Sequence, residues 1–196
     1  MNAMTSALPA PKPAHRTLLL LAAVFVLPFV VGTGLFWSGW RPAKFVNHGE
    51  LLQPPRLLPE SGLTHADGRS LPTSELRGKW LLVMPVDQPC DATCQQNLQQ
   101  MRQVHIALNK EQSRLQRVFI SSVASDPALK KMQQDLPDVV VASTTNKDWR
   151  KALDSNGQTI YVVDPLGNIM MRYTDPADMR GVLKDLERLL KYSWIR

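Results

Sequence analysis

The chain has 196 residues with two cysteines, and its 23 Lys and Arg against 17 Asp and Glu give a formal net charge of +6. Because domains usually hold about 100–200 residues, this length predicts one globular domain with appendages. The apolar content of 44% excludes an intrinsically disordered chain, and two cysteines are too few for a disulfide-built scaffold. The basic residues form no run or stripe, so we expect no nucleic-acid binding.

A long apolar segment lies near the N-terminus. No charged residue occurs from Thr17 to Trp40, and this stretch is long enough to cross a hydrocarbon core of about 30 Å as a helix. A cleaved signal peptide is the alternative, but its apolar region is usually about 7–15 residues long and ends at small residues, whereas bulky FWSGW stands here. The sequence therefore predicts a transmembrane anchor over residues 17–40, preceded by a cytoplasmic tail over residues 1–16.

The charges flanking this segment bear on its orientation. Lys12 and Arg16 precede the segment, and Arg41 and Lys44 follow it, so the positive charges on the two sides nearly balance. The short N-terminal tail has no acidic residue, which favours its retention in the cytoplasm. This orientation places the C-terminal part of the chain outside the cytoplasm.

Residues 41–60 are predicted to be a linker. The stretch Asn47–Glu60 contains three prolines and no apolar periodicity, which is typical of an extended connection. Residues 61–196 then hold enough periodic apolar sequence for one domain.

The predicted domain alternates strands and helices. Its order of hairpin, β, α, β, α, β, α, β, β, α predicts an α/β fold with a central sheet covered by helices on both faces. The predicted elements are a hairpin around Asp67-Gly68, a strand at Trp80–Val86, a helix from the cysteines to about Lys110, a strand at Arg117–Val123, a helix from Asp126-Pro127 to about Asp135, a strand at Asp138–Ala142, a helix at Asn146–Asp154, a hairpin of Thr159–Asp164 with Ile169–Tyr173, and a last helix capped by Asp175-Pro176.

Both cysteines lie where the Trp80–Val86 strand passes into a helix. A thiol at a helix N-terminus is close to the positive end of the helix dipole, which favours the reactive thiolate. Cβ atoms four residues apart on a helix are about 5–6 Å apart, whereas a disulfide needs about 3.5–4.5 Å. Cys90 must therefore lie in the loop if it pairs with Cys94. Two unreactive thiols, or one inert disulfide, are the alternatives.

Four segments resemble the Sco/SenC family of membrane-anchored, thioredoxin-like cytochrome c oxidase assembly proteins. The resemblance extends over about residues 60–192, and its most specific element is the Cys-x-x-x-Cys spacing. The four segments are Leu76–Trp80 (LRGKW), Cys90–Cys94 (CDATC), Phe119–Pro127 (FISSVASDP) and Tyr161–Asn168 (YVVDPLGN).

The resemblance implies a thioredoxin-like fold, a single-pass anchor in a bacterial inner membrane, and a periplasmic C-terminal domain. It also implies copper binding through Cys90, Cys94 and a later histidine. The implied partner is cytochrome c oxidase subunit II or another periplasmic assembly factor.

The chain departs from the family at the expected histidine. Counting back from YVVDP without gaps, Asn156 stands at that position, and an amide is a poor copper ligand. His105 lies about 16 Å along the helix from Cys94, which favours a packing role. His48 and His65 stay open as ligands. Two thiolates then remain, and soft thiolates suit Cu(I).

Three functions therefore stay open. Cys90 and Cys94 either reduce cysteines of the copper-receiving subunit as a dithiol enzyme, or bind Cu(I) and carry it to that subunit. The third alternative is a catalytically silent interaction protein with a static disulfide. The absent histidine favours the reductant, and Gly157-Gln158-Thr159 at the usual cis-proline position favours one dedicated partner over general disulfide exchange.

The predicted topology can be tested with reporter fusions after Arg196. We expect activity from a reporter enzyme that works only outside the cytoplasm, because the single anchor places the C-terminus there. A matched fusion of a reporter that works only in the cytoplasm should be inactive. The opposite pattern would refute both the topology and the role in oxidase assembly.

Overall fold

The computed structural model describes residues 15–40, 47–123, 127–153, 159–174 and 177–193. The chain divides into two units, residues 1–45 and Val46–Arg196. In the first unit, helix α1 covers His15–Trp37 and buries none of its side chains. At 1.5 Å per residue it is about 34 Å long, which matches a bilayer core. Within the described part of the chain, α1 alone is long and apolar enough to be a candidate membrane span.

The second unit contains one mixed sheet. Its strands are β1 (Glu50–Leu57), β2 (Leu63–His65), β3 (Ser70–Leu71), β4 (Trp80–Val86), β5 (Leu115–Ser121), β6 (Val139–Ser143), β7 (Ile160–Val163) and β8 (Asn168–Tyr173). Their spatial order is β1-β8-β7-β4-β5-β6-β2-β3. β4, β5 and β6 are parallel to one another, and every other pairing is antiparallel.

Four helices and a short 3₁₀ turn cover this sheet. The helices are α2 (Ala92–Ala107), α3 (Pro127–Asp135), α4 (Lys147–Ala152) and α5 (Met179–Tyr192). α2, α3 and α5 pack on one face, and α4 packs on the other with the 3₁₀ turn Thr73–Leu76. The predicted α/β fold with helices on both faces is thus confirmed.

The sheet separates two clusters of buried apolar side chains, one on each face, and strand β4 contributes residues to both. All seven of its residues are buried, because the strand lies between β5 and β7 and is covered on both faces. Leu82 and Met84 face α2 and α5, whereas Leu81 and Val83 face α4. A continuous apolar run is what such a doubly covered strand requires, and this run allowed the strand to be predicted with its observed bounds.

The prediction of a linker over residues 41–60 is wrong for its second half. Residues 50–57 form β1, which pairs with β8 at the edge of the sheet. Only Leu52 of this strand is half-buried, so no apolar periodicity marks it. Pro54 and Pro55 are tolerated because an edge strand needs only some of its N–H groups, and the register shifts between Leu51 and Arg56 around them.

The start of the last helix also differs from the prediction. Asp178 caps α5, and its side chain accepts a hydrogen bond from the Arg180 backbone N–H. Asp175 and Pro176, the predicted cap, lie outside the described residues. An aspartate followed by an apolar period occurs at both places, so the local pattern does not decide between them.

The buried carboxylate of Asp185 in α5 binds the segment that immediately precedes β1. Asp185 is 3% exposed, and it accepts hydrogen bonds from the Tyr173 hydroxyl at 2.9 Å and from the backbone N–H groups of His48 and Gly49 at 2.8 and 2.9 Å. Burial and the adjacent carboxylate raise the pKa of Tyr173, so its phenol stays protonated and donates. A side chain at Gly49 would meet the Tyr173 ring at about 2.5 Å, so only glycine fits there.

Replacing Asp185 should destabilise the domain. Asp185→Ala leaves two buried donors, the Tyr173 hydroxyl and the Gly49 N–H, and the partly buried N–H of His48 without their acceptor, and we expect a loss of about 3 kcal/mol in the free energy of unfolding. The measurement is urea denaturation of the full chain in detergent, followed by tryptophan fluorescence. Glu187→Ala, which removes an exposed carboxylate from the same helix, should change stability by no more than about 0.5 kcal/mol. Equal effects of the two substitutions would contradict the role of Asp185.

Candidate functional site

Both cysteines lie at the carboxyl end of β4. The chain leaves this strand after Val86 and enters α2 at Ala92. Cys90 lies in the connecting loop, and Cys94 lies in the first turn of the helix. Cys90 thus lies outside the helix, as the spacing of helical Cβ atoms predicts for a cysteine that pairs with Cys94.

The two cysteines form a disulfide. Their Cα atoms are 5.3 Å apart, within the usual range for such a bond. Cys94 is 1% exposed and belongs to the apolar cluster beneath α2. Cys90 is half-buried and packs against the same cluster from outside. A partner molecule can thus approach the sulfur of Cys90, whereas the core covers that of Cys94.

Asp91 is the residue that begins α2. Its Oδ1 accepts a hydrogen bond of 2.8 Å from the backbone N–H of Cys94, as an N-cap does. The sequence interpretation did not single out Asp91, although an aspartate at the start of an amphipathic helix is a typical cap signal. The cap fixes the first turn, so it also fixes the position of Cys94 relative to the preceding loop.

A second carboxylate ties the loop to the neighbouring strand. Asp87 follows β4, and its Oδ1 accepts a hydrogen bond of 2.8 Å from the Ser122 hydroxyl, which follows β5. The carboxyl ends of two parallel strands are therefore joined beside the cysteines. This contact gives Asp87 a structural role in the loop.

Within the described residues, the three histidines considered as copper ligands contact groups other than the two cysteines. The Nε2 atom of His105 lies 3.0 Å from the Gln112 carbonyl oxygen, which agrees with the predicted packing role. His65 pairs with Ala142, whose side chain belongs to the cluster on the α4 face. Because paired residues point to the same face, His65 and Cys94 lie on opposite faces of the sheet. The Nδ1 atom of His48 lies 3.4 Å from Asp185 Oδ1.

In the part of the chain that the structure describes, the two sulfurs are therefore the only metal ligands at this site. No group of three or more His, Cys, Asp or Glu side chains that could hold a metal occurs among those residues. Asn156, the position expected to carry the family histidine, lies outside the described residues, as do Gly157 and Gln158. Reduction of the disulfide would free two thiolates, which suit Cu(I).

Two cavities differ in their relation to the cysteines. One cavity, of about 540 Å³, lies at the amino ends of the parallel strands, beside Lys79, Leu115 and Val139. The cysteines follow the carboxyl end of β4, so this cavity lies at the other end of the sheet. A groove of about 370 Å³ between α2 and α3 includes Cys90 in its lining, and this groove is part of the candidate site.

Comparisons with known proteins place this arrangement in a family. The family model described as transmembrane-like, thioredoxin-like, C-terminal domain matches residues 80–193, more than half of the chain. No curated protein sequence matches the chain.

Solved structures of Sco proteins share the fold. Copper-bound Sco1 of yeast is 19% identical, and the match covers 71% of this chain and 95% of that protein with a TM-score of 0.59. Apo Sco1 of Thermus thermophilus is 20% identical, with 76% and 99% covered and a TM-score of 0.59. BsSco, described as a Sco-family cytochrome c oxidase assembly protein with a disulfide switch, is 13% identical, with 76% and 99% covered and a TM-score of 0.57.

These findings confirm the fold that the four sequence segments predicted. The identities are low, so the solved structures bear on the fold alone, and the family model carries the assignment. The chain therefore belongs to the transmembrane-like, thioredoxin-like C-terminal domain family, and its fold is the thioredoxin-like fold of the Sco/SenC proteins.

Proposed function

We propose that this protein reduces a disulfide of the copper-receiving subunit during cytochrome c oxidase assembly, from an anchor in a bacterial inner membrane and with its domain in the periplasm. The observation that carries the proposal is the Cys90–Cys94 disulfide, in which one sulfur is half-exposed and the other is in the core. The oxidase context is supported by BsSco, a protein of the same fold that is described as an oxidase assembly factor.

The reduced pair would act by two successive exchanges. The thiolate of Cys90 attacks one sulfur of the partner disulfide, a mixed disulfide forms, and the first partner thiolate leaves. The thiolate of Cys94 then attacks Cys90, which releases the second partner thiolate and leaves the Cys90–Cys94 disulfide. Two electrons pass to the partner, and a dithiol protein upstream must return the pair to its reduced form. Cys90 makes the first attack because Cys94 is covered by the core.

Copper delivery is the second candidate function. It is supported by the structure of yeast Sco1, which shares the fold and was solved with copper bound. In the reduced chain, Cys90 and Cys94 would hold Cu(I) as cargo through two soft thiolates. The described residues offer no third ligand beside them, and this favours the reductant over the carrier.

A silent interaction protein is the third candidate. In that case the disulfide is static and contributes only to the stability of the loop before α2. The half-exposed position of Cys90 is the feature that favours exchange over a static bond, because an inert disulfide is usually covered.

Redox cycling separates the first candidate from the third. We expect mild dithiol treatment of the folded full chain to reduce the disulfide, and a thiol-specific alkylating agent to label Cys90 at least about tenfold faster than Cys94, because only Cys90 is accessible. The measurement is mass spectrometry of chains labelled under native conditions, with Cys90→Ser as the control that isolates Cys94. A disulfide that resists reduction until the domain unfolds would instead support the static bond.

Copper titration tests the copper-carrier function and the placement of Asn156 at the position where the family has a histidine. The wild-type chain should bind Cu(I) through two thiolates and Cu(II) poorly, since Cu(II) prefers nitrogen ligands and higher coordination. Asn156→His should raise the Cu(II) affinity by at least about tenfold, which corresponds to about 1.4 kcal/mol, and should strengthen a thiolate-to-copper charge-transfer band. The gain should vanish when Cys90 is also serine. A wild-type Cu(II) affinity equal to that of Asn156→His would contradict the ungapped placement of Asn156.

A further inference from the structure

The charged side chains beside the disulfide are mostly acidic. Asp87 and Asp91 belong to the segment that joins β4 to α2, and the cavity that Cys90 lines is also lined by Lys131 and Asp135 of α3. Among the described residues of this loop and this cavity, three carboxylates therefore face one ammonium group. Reactive cysteines usually lie in electropositive surroundings, which stabilise the thiolate. The charge at this site has the opposite sign.

Asp91 is the carboxylate most closely linked to both cysteines. It is the N-cap of α2 and lies between Cys90 and Cys94 in the chain. Its Oδ1 atom lies 2.8 Å from the backbone nitrogen of Cys94, whose N–H donates to it. A cysteine Sγ is three covalent bonds from the nitrogen of its own residue, so the carboxylate and the Cys94 sulfur are within about 7 Å of each other. The charge of Asp91 thus acts on this sulfur at short range.

The contacts of Asp91 disfavour a thiolate on either sulfur. The N–H groups of a first helical turn and the helix dipole stabilise a thiolate that lies there. Here the carboxylate accepts the Cys94 N–H and brings a negative charge to the same place. The Cys90 sulfur lies 4.0 Å from the main-chain carbonyl oxygen of Asp91, whose partial negative charge also repels a thiolate. In the reduced pair, both contacts therefore favour protonated thiols.

We propose that the negative charge of Asp91 makes the Cys90–Cys94 pair a stronger reductant. Reduction of the disulfide adds two electrons and two protons to the two sulfurs, and a thiolate forms when a proton then leaves to solvent. A charge that destabilises this thiolate destabilises the reduced form, so the pair gives its electrons to a partner disulfide more readily. The inference rests on the proposed disulfide reduction and assigns it a residue that acts through the two sulfurs.

Redox equilibration of the full chain in detergent tests this role. Wild type and Asp91→Asn are equilibrated with the same mixture of reduced and oxidised dithiothreitol, and alkylation followed by mass spectrometry gives the ratio of reduced to oxidised chain. Asparagine is also a good N-cap, so this substitution removes the charge and keeps the hydrogen bond. At about pH 9.5 we expect the ratio to be about threefold higher in the variant, a modest factor because Asp91 is exposed to solvent and partly screened.

The same comparison at about pH 6 separates charge from geometry. An ordinary cysteine is protonated there, so the charge of Asp91 has no thiolate to act on, and the two chains should give equal ratios. A displaced Cys94 or a distorted disulfide would instead shift the ratio by the same factor at both pH values. Both chains share each buffer, so the titration of dithiothreitol itself cancels from the comparison.

Two further variants supply the controls. Asp178→Asn makes the same change at the N-cap of α5, where Asp178 accepts a hydrogen bond from the Arg180 backbone N–H, and it should not alter the ratio at either pH. Asp91→Ser keeps a good capping side chain and removes the charge, so it should raise the ratio as Asp91→Asn does.

The outcomes distinguish the role of Asp91 from the exchange itself. An unchanged or lower ratio in Asp91→Asn at about pH 9.5, or an equal shift at both pH values, would overturn the inference and leave the exchange at Cys90 intact. A similar rise in Asp178→Asn would overturn it as well. A disulfide that dithiothreitol does not reduce while the domain is folded would refute the proposed function and this inference with it.

Discussion

The burial of β4 between β5 and β7 is the constraint on which the candidate site depends. The strand is covered by helices on both faces, so its carboxyl end can shift only if the whole core shifts. The chain must then turn out of the sheet within a few residues and begin α2, whose first turn is held by Asp91. Cys90 and Cys94 lie on the two sides of this cap, and Asp87 anchors the loop to the end of β5 through Ser122.

The unequal burial of the two sulfurs follows from this geometry. Cys94 is on the inner face of α2, where a helix that packs on a sheet places its apolar residues, and Cys90 precedes the helix and is only half-covered. Exchange at Cys90 therefore requires no opening of the core, whereas exchange at Cys94 with a large partner would require it.

The sequence alone was sufficient for the elements that carry a strong local signal. The apolar run Trp80–Val86 identified the central strand, and a glycine with positive φ at Gly68 explains why Asp67-Gly68 marked a hairpin. The i and i+4 positions of Cys90 and Cys94 led to the prediction that Cys90 lies in a loop. In each case, the residues that determine the structure are neighbours in the chain, so a pattern of a few residues contains the information.

Other features were decided only by the tertiary structure. β1 is an edge strand with almost no buried side chains, and what makes it a strand is backbone pairing with β8, more than 100 residues away. Asp185 interrupts an apolar helix face, and its purpose is visible only once Tyr173, His48 and Gly49 surround it. The sequence by itself determined the candidate membrane span, the fold class and the junction at which the cysteines lie, because each is marked by an apolar pattern among neighbouring residues. α1 and β4 are continuous apolar runs, and α2 has a helical apolar period. Only the tertiary structure decided which sulfur is accessible and that a groove begins beside it, because those properties depend on helices α2 and α3, which meet in space but are separated in sequence.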